Sequence, residues 1–129
     1  MYSNTFGGEG FYTKQEAFDA YDKRLSHILN YKGKTSGKVW KNWPEAIAAF
    51  DIQNEPMISK AYLCQDNDKA GWICGRAKHL REELGADNQI KISSGGIGGD
   101  VTNECYLTSA ATECEALDLI ASKFPPVAK

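Results

Sequence analysis

The sequence is poor in several features that would point to particular classes of protein. No apolar run reaches the roughly 18 residues of a membrane-spanning helix, so no membrane partner is expected. The formal net charge is only −2, from 15 basic and 17 acidic residues, which does not favour nucleic-acid binding. With 42% hydrophobic and 25% charged residues, the 129 residues are predicted to form one globular domain, residues 1–129.

Motifs for cofactors and metals are also missing. The glycines of "SSGGIGGD" lack both the Gly-x-Gly-x-x-Gly spacing and the following helix of a dinucleotide site. The two histidines, His27 and His79, lie outside any Cys/His spacing typical of zinc. His79 and Cys74 are five residues apart, on different sides of a predicted helix, so they do not form a nucleophile pair. We therefore expect no cofactor and no metal.

Four cysteines fall into two local pairs, Cys64 with Cys74 and Cys105 with Cys114, each about ten residues apart. Zinc sites use tighter spacing, so two local disulfides are the favoured interpretation. Disulfides imply an oxidising compartment, and we expect a secreted, extracellular protein. The amino terminus lacks the basic segment and apolar stretch of a signal peptide, which suggests a mature or truncated chain.

Two helices are predicted. Thr13 and Glu16 have the spacing of a capping box, and apolar residues at helical spacing extend this helix over 13–31. A second apolar face predicts a helix over 70–85, with Gly85 at its end.

Three strands are predicted over residues 46–53, 88–96 and 117–121, and residues 100–116 are predicted to be a loop or a short helix. Strands that alternate with helices are typical of parallel pairing. The sequence therefore predicts an α/β fold with a parallel sheet flanked by helices.

The first strand ends in "FDIQNEPM", where apolar and polar residues alternate. Alternation places Phe50 and Ile52 on one face and Asp51, Gln53 and Glu55 on the other. Three polar residues on one face are costly to bury unless they bind a ligand or are fully hydrogen-bonded. The alternative is an edge strand with one solvated face.

The longer stretch "WPEAIAAFDIQNEP" resembles the fourth strand of glycoside hydrolase family 5, a family of (β/α)8 barrels that includes endo-mannanases and endoglucanases. The features that carry the resemblance are Pro44, the apolar run 47–52 and the triplet Asn54-Glu55-Pro56. The similarity extends through most of the chain to "ALDLIA", and fungal members look nearest. It implies a partial barrel, approximately strands three to six, that acts on or binds β-linked polysaccharide, either mannan or glucan.

By this resemblance, Glu55 matches the general acid/base of a retaining glycosidase and Asn54 matches the residue that binds the sugar 2-hydroxyl. An acid/base needs a carboxyl group that can protonate the leaving oxygen. Strand ends at the carboxyl face of a barrel are where such groups collect.

A retaining enzyme also needs a second carboxylate about 5 Å from the first. The family takes it from the seventh strand, whereas this chain departs from the family pattern in its tail, Ser122–Lys129. Asp51 and Asp100 are the candidate substitutes, but neither matches a family position. Hydrolysis by these 129 residues is therefore expected to be incomplete.

Two further hypotheses stay open. One is a non-catalytic carbohydrate-binding protein on the same scaffold, either lectin-like or acting in defence or immunomodulation. The other is a homodimer formed through exposed strand edges, which a strictly monomeric species in light scattering at high concentration would exclude.

Aromatic residues Tyr31, Trp40 and Trp43 lie among several lysines. They form either a platform for a sugar or an anionic ligand, or a solvated loop whose rings pack on the preceding helix. Packing is the favoured interpretation.

Overall fold

The structure is a computed structural model that describes residues 2–54, 56, 70–95 and 112–120. Its helices and strands, in chain order, are α1 (Tyr2–Phe6), α2 (Gly10–Thr13), α3 (Gln15–Leu29), a 3-10 turn (Trp40–Asn42), β1 (Ala49–Asp51), α4 (Trp72–Leu84) and β2 (Lys91–Ser93).

Helix α3 forms where the apolar spacing predicts it. Its buried residues, Ala17, Phe18, Leu25 and Leu29, recur on one face. The predicted capping box is wrong, because the helix is preceded by Lys14, which makes no side-chain cap. Thr13 instead closes α2, and its hydroxyl donates to the carbonyl of Glu9. Thr13 therefore belongs to the preceding helix α2 and is not available to cap α3.

Helix α4 confirms the second predicted helix. Its buried face consists of Trp72, Ile73, Arg76, Ala77, Leu80 and Leu84. The helix ends at Gly85, whose φ of 85° lies in the region that favours glycine and whose N–H donates to the Arg81 carbonyl at 2.9 Å.

The two strands pair in parallel, with Phe50 opposite Ile92. Both are shorter than predicted. A third stretch of chain joins the other edge of β2, where Leu119 forms a parallel bridge with Ser93. The part of the chain that the structure describes is therefore an α/β arrangement in which helices cover a two-stranded parallel sheet, with β1 at its edge.

The core lies between α3, α4 and the sheet, where Leu29, Ile52, Leu80, Ile90 and Ile92 are almost completely buried. A charged pair lies at its margin. Arg76 of α4 is 6% exposed, its Nε lies 2.5 Å from an Asp22 carboxylate oxygen on α3, and its guanidinium stacks 4.6 Å from the centre of the Phe18 ring. Because a buried charge needs a partner, this pair ties the positions of the two helices to each other.

Cys74, in the first turn of α4, forms a disulfide with Cys114. The predicted pairs Cys64–Cys74 and Cys105–Cys114 are therefore wrong. Local spacing misled the prediction because bonding depends on Cα separation in space, here 5.6 Å. The chain before Leu119 returns alongside β2 and brings Cys114 next to α4. Cys64 and Cys105 lie outside the described residues.

Removing this disulfide should destabilise the protein substantially. The bond joins residues 40 positions apart, and a loop of that length corresponds to about 4 kcal/mol of unfolding free energy in the chain-entropy account. We expect Cys74→Ala combined with Cys114→Ala to lose about that amount in urea unfolding. Peptide mapping without reduction should link Cys74 to Cys114, and a Cys74–Cys64 peptide would contradict the fold.

Asp118 holds the third stretch of chain to β2. Its N–H donates to the Ile92 carbonyl at 2.9 Å, and its carboxylate accepts the Ile92 N–H at 2.8 Å and Arg81 Nη2 at 2.5 Å. Burial alone would raise the pKa of this carboxyl, but the Ile92 N–H and the Arg81 guanidinium outweigh burial and hold the pKa below its ordinary 3.8.

Acid should therefore weaken the fold through Asp118. A pKa that is lower in the folded state stabilises the fold above the unfolded-state pKa, and the contribution is lost as the pH falls through the folded-state value. We expect urea unfolding between about pH 5 and pH 2 to show a smaller acid-induced loss in Asp118→Asn than in wild type. Asp51→Asn, an exposed carboxylate on β1, is the control and should retain the full loss.

Candidate functional site

An aromatic pocket lies beyond the carboxyl end of β1. It has a volume of about 250 Å³, and the residues that line it are Tyr2, Gly8, Phe11, Tyr12, Tyr21 and Gln53. We call this the aromatic pocket. Ligands of open parallel sheets bind outside the carboxyl ends of the strands, so its position is one where a binding site is expected.

The pocket walls come from the three amino-terminal helices, whose rings pack in tilted and edge-to-face pairs. Phe11 lies 5.2 Å from Tyr21 and 5.4 Å from Tyr2, measured between ring centroids. Behind them the fully buried Trp72 of α4 contacts Tyr12 at 5.1 Å. Tilted and edge-to-face pairs are favourable for aromatic rings, so the walls support one another without a ligand.

Two hydroxyl groups connect these rings to the end of β1. Tyr21 donates to the Ile52 carbonyl at 2.9 Å, and Tyr12 donates to Gln53 Oε1 at 3.3 Å. Burial, followed by the neighbouring Tyr12, raises the pKa of Tyr21 to about 12, so its phenol stays protonated and remains a donor at neutral pH.

Gly95, which follows β2, lies very close to the backbone of Gln53. A Cβ at this position would lie only 1.6 Å from the Gln53 carbonyl oxygen, and the φ of Gly95 is 75°. Any side chain would therefore both clash with the Gln53 backbone and strain its own. The missing side chain allows the two chain segments to meet beneath the aromatic pocket.

The predicted site residues are placed only in part. Asn54 follows Gln53 directly and is exposed, while Ile52 is buried and Asp51 exposed, as alternation along the strand predicts. Glu55 and Asp100 lie outside the described residues. The pocket rings are not predicted by any of the sequence patterns above, although six aromatic residues occur within the first 21 positions.

A polar cluster joins α3 to α4 on their outer surface. Ser26 Oγ lies 2.8 Å from His79 Nε2, and Glu83 accepts from Asn30 Nδ2 at 3.2 Å and lies 3.6 Å from Lys41 Nζ. Hydrogen bonds from Ser26 and then from Asn30 lower the pKa of Glu83. These contacts link the two helices, and they account for the polar residues of the cluster. Cys74, which lies on the same helix as His79, cannot act as a nucleophile because it is disulfide-bonded.

Within residues 2–54, 56, 70–95 and 112–120, no group of three His, Cys, Asp or Glu side chains could hold a metal ion. No helix in the described part of the chain is long and apolar enough to cross a membrane. No family model, curated protein or solved structure matches the chain.

Substituting Gly95 by alanine should be strongly destabilising. The φ penalty and the overlap with Gln53 act together, and we expect a loss of at least about 2 kcal/mol in urea unfolding. Gly37 is the matched control, because its φ is also positive, at 65°, but a Cβ there meets nothing within 4 Å. Equal losses for Gly37→Ala and Gly95→Ala would show that the close approach to Gln53 is unimportant.

Proposed function

We propose that this chain binds β-linked polysaccharide, mannan or glucan, in the aromatic pocket, as a secreted protein of the glycoside hydrolase family 5 type built on part of a (β/α)8 barrel. The observation that carries the proposal is the aromatic pocket, which is lined by aromatic residues and by Gln53. Asn54 follows Gln53 in the sequence.

The chemistry of the pocket suits a sugar. A pyranose ring has a face of C–H groups that packs on the negative face of an aromatic ring, and hydroxyl groups around its rim that need donors and acceptors. The pocket offers rings from Phe11, Tyr12 and Tyr21, together with the Gln53 amide at its edge. Clefts that are mainly apolar with a few placed polar groups are typical of small-ligand sites.

The fold and the disulfide support the same proposal at a coarser level. Parallel strands joined through a helix are the repeating unit of an α/β barrel. Cys74–Cys114 is the kind of bond that persists outside the cytosol. Both observations agree with a secreted barrel-derived protein.

Glu55 is the proposed acid/base, on the family resemblance of the Asn54-Glu55-Pro56 triplet. A retaining mechanism requires a second carboxylate, and none of the 129 residues matches the family's nucleophile. We therefore propose binding without turnover. A lectin-like protein on this scaffold would use the same pocket and would not depend on Glu55.

Binding should depend on the Gln53 amide. Gln53→Met keeps the side-chain length but removes the polar group, and we expect about tenfold weaker binding of a mannan or β-glucan hexasaccharide in calorimetry, the effect of one or two lost hydrogen bonds. Gln89→Met is the control, since Gln89 is exposed and outside the pocket.

The design separates the possible outcomes. Equal weakening by both variants, or no binding of either glycan by a folded wild type, would contradict the proposed pocket. Release of reducing sugar by wild type that disappears in Glu55→Gln would contradict binding without turnover and identify an active glycosidase. Binding that is unchanged in Glu55→Gln, without turnover, would favour the lectin-like alternative.

A further inference from the structure

A second groove lies on the chain before β1 and shares no lining residue with the aromatic pocket. Its volume is about 290 Å³, and it is lined by Trp40, Trp43, Ala46, Ile47 and Phe50. Phe50 belongs to β1, whereas the other residues precede the strand. We call it the tryptophan groove.

The loop that carries the groove is held in one conformation. Lys32 and Val39 form an antiparallel bridge, and the Gly33 N–H donates to the Lys38 carbonyl at 2.9 Å. The Trp40 N–H then donates to the Tyr31 carbonyl at 3.1 Å, and the two rings pack edge to face at 5.4 Å. The tryptophans are therefore positioned before any ligand arrives.

The aromatic side chains of this groove are not fully buried in the core. Trp40, Trp43 and Phe50 are each only half-buried, and Tyr31 is exposed. The prediction from the sequence is that these rings pack on the preceding helix. The 3-10 turn does contact α3, yet the side that holds both tryptophans stays open as a groove.

Lys38 borders the groove, and the loop before it is rich in lysine. Residues 32–41 contain four lysines and no acidic residue, although the whole chain has a net charge of −2. Lys38 Nζ lies 5.3 Å from the Trp43 ring centroid, and its ion pair with Glu45 spans 3.9 Å between exposed side chains, which contributes little. Lys32 and Lys34 are exposed in the loop that precedes Trp40.

The occupant must therefore combine a flat apolar face with negative charge. A uronic acid residue does so, since its pyranose C–H face can stack on tryptophan while its C6 carboxylate reaches a lysine. A neutral glycan would leave the lysines unused. Nucleic acid carries a far denser charge, about one per 1.7 Å of duplex, so single-stranded DNA is included as a competing probe in the test.

We propose that the tryptophan groove binds an acidic polysaccharide, with uronate rings stacked on Trp40 and Trp43 and their carboxylates paired with Lys32, Lys34 and Lys38. This surface acts independently of the aromatic pocket, so the proposal does not depend on the function assigned to that pocket.

The test compares two matched probes, a β-1,4-linked mannuronate hexasaccharide and the neutral mannan hexasaccharide, which differ in the C6 carboxylates. We expect mannuronate binding to weaken about tenfold in the combined variant Lys32→Gln, Lys34→Gln, Lys38→Gln, and to be lost in Trp43→Ala. Binding should also weaken as sodium chloride rises from about 20 mM to about 200 mM.

A matched control makes the outcome decisive. The triple variant Lys14→Gln, Lys23→Gln, Lys78→Gln removes the same charge from exposed positions elsewhere and should bind mannuronate as wild type does. Absence of mannuronate binding, or equal weakening by both triple variants, would overturn the proposal. So would a loss of neutral-mannan binding in the Lys32, Lys34 and Lys38 variant as large as its loss of mannuronate binding, or tighter binding of single-stranded DNA than of mannuronate. Because the three substituted lysines are exposed, their variant tests the groove even where Trp43→Ala fails to fold.

Discussion

The parallel pairing of β1 with β2 is the constraint on which the rest of this structure depends. Parallel neighbours cannot be joined by a tight turn, so the chain must cross over between them. Helix α4 lies on that crossover and covers the sheet with Trp72, Ile73, Ala77 and Leu80. The same register places Ile52 in the core and carries Gln53 to the carboxyl end of the sheet, where the amino-terminal rings surround it.

Helices α3 and α4 are joined by several kinds of interaction, which differ in polarity and in how deeply they are buried. Apolar packing supplies most of the burial, and the Asp22–Arg76 pair adds a contact that is sensitive to orientation because Arg76 is nearly inaccessible. Nearer the surface, Ser26, His79 and Glu83 continue the connection. The Cys74–Cys114 bond then joins α4 to the chain that follows β2. The covering helices are thus tied both to each other and to the sheet.

Two aromatic surfaces result from this arrangement, and their chemistry differs. The aromatic pocket lies beside the amide of Gln53, with hydroxyl groups already bonded to the end of β1, and suits a neutral ring with many hydroxyls. The tryptophan groove is bordered by Lys38 and lies on a loop whose backbone bonds are satisfied internally. The two surfaces therefore differ in charge, and the ligands proposed for them differ in the same way.

The sequence by itself determined the two long helices, because spacing of apolar residues along α3 and α4 is a local property, and Gly85 marks a local stop. It also predicted parallel strands around Phe50 and Ile92, and it left open whether the face that carries Asp51 is solvated, as the structure has it. Only the tertiary structure decided which cysteine bonds Cys74, why Gly95 lacks a side chain, and that rings from α1, α2 and α3 meet Gln53. Each of these is a contact between residues distant in the chain, set by how the crossover returns to the sheet, and no local spacing encodes it.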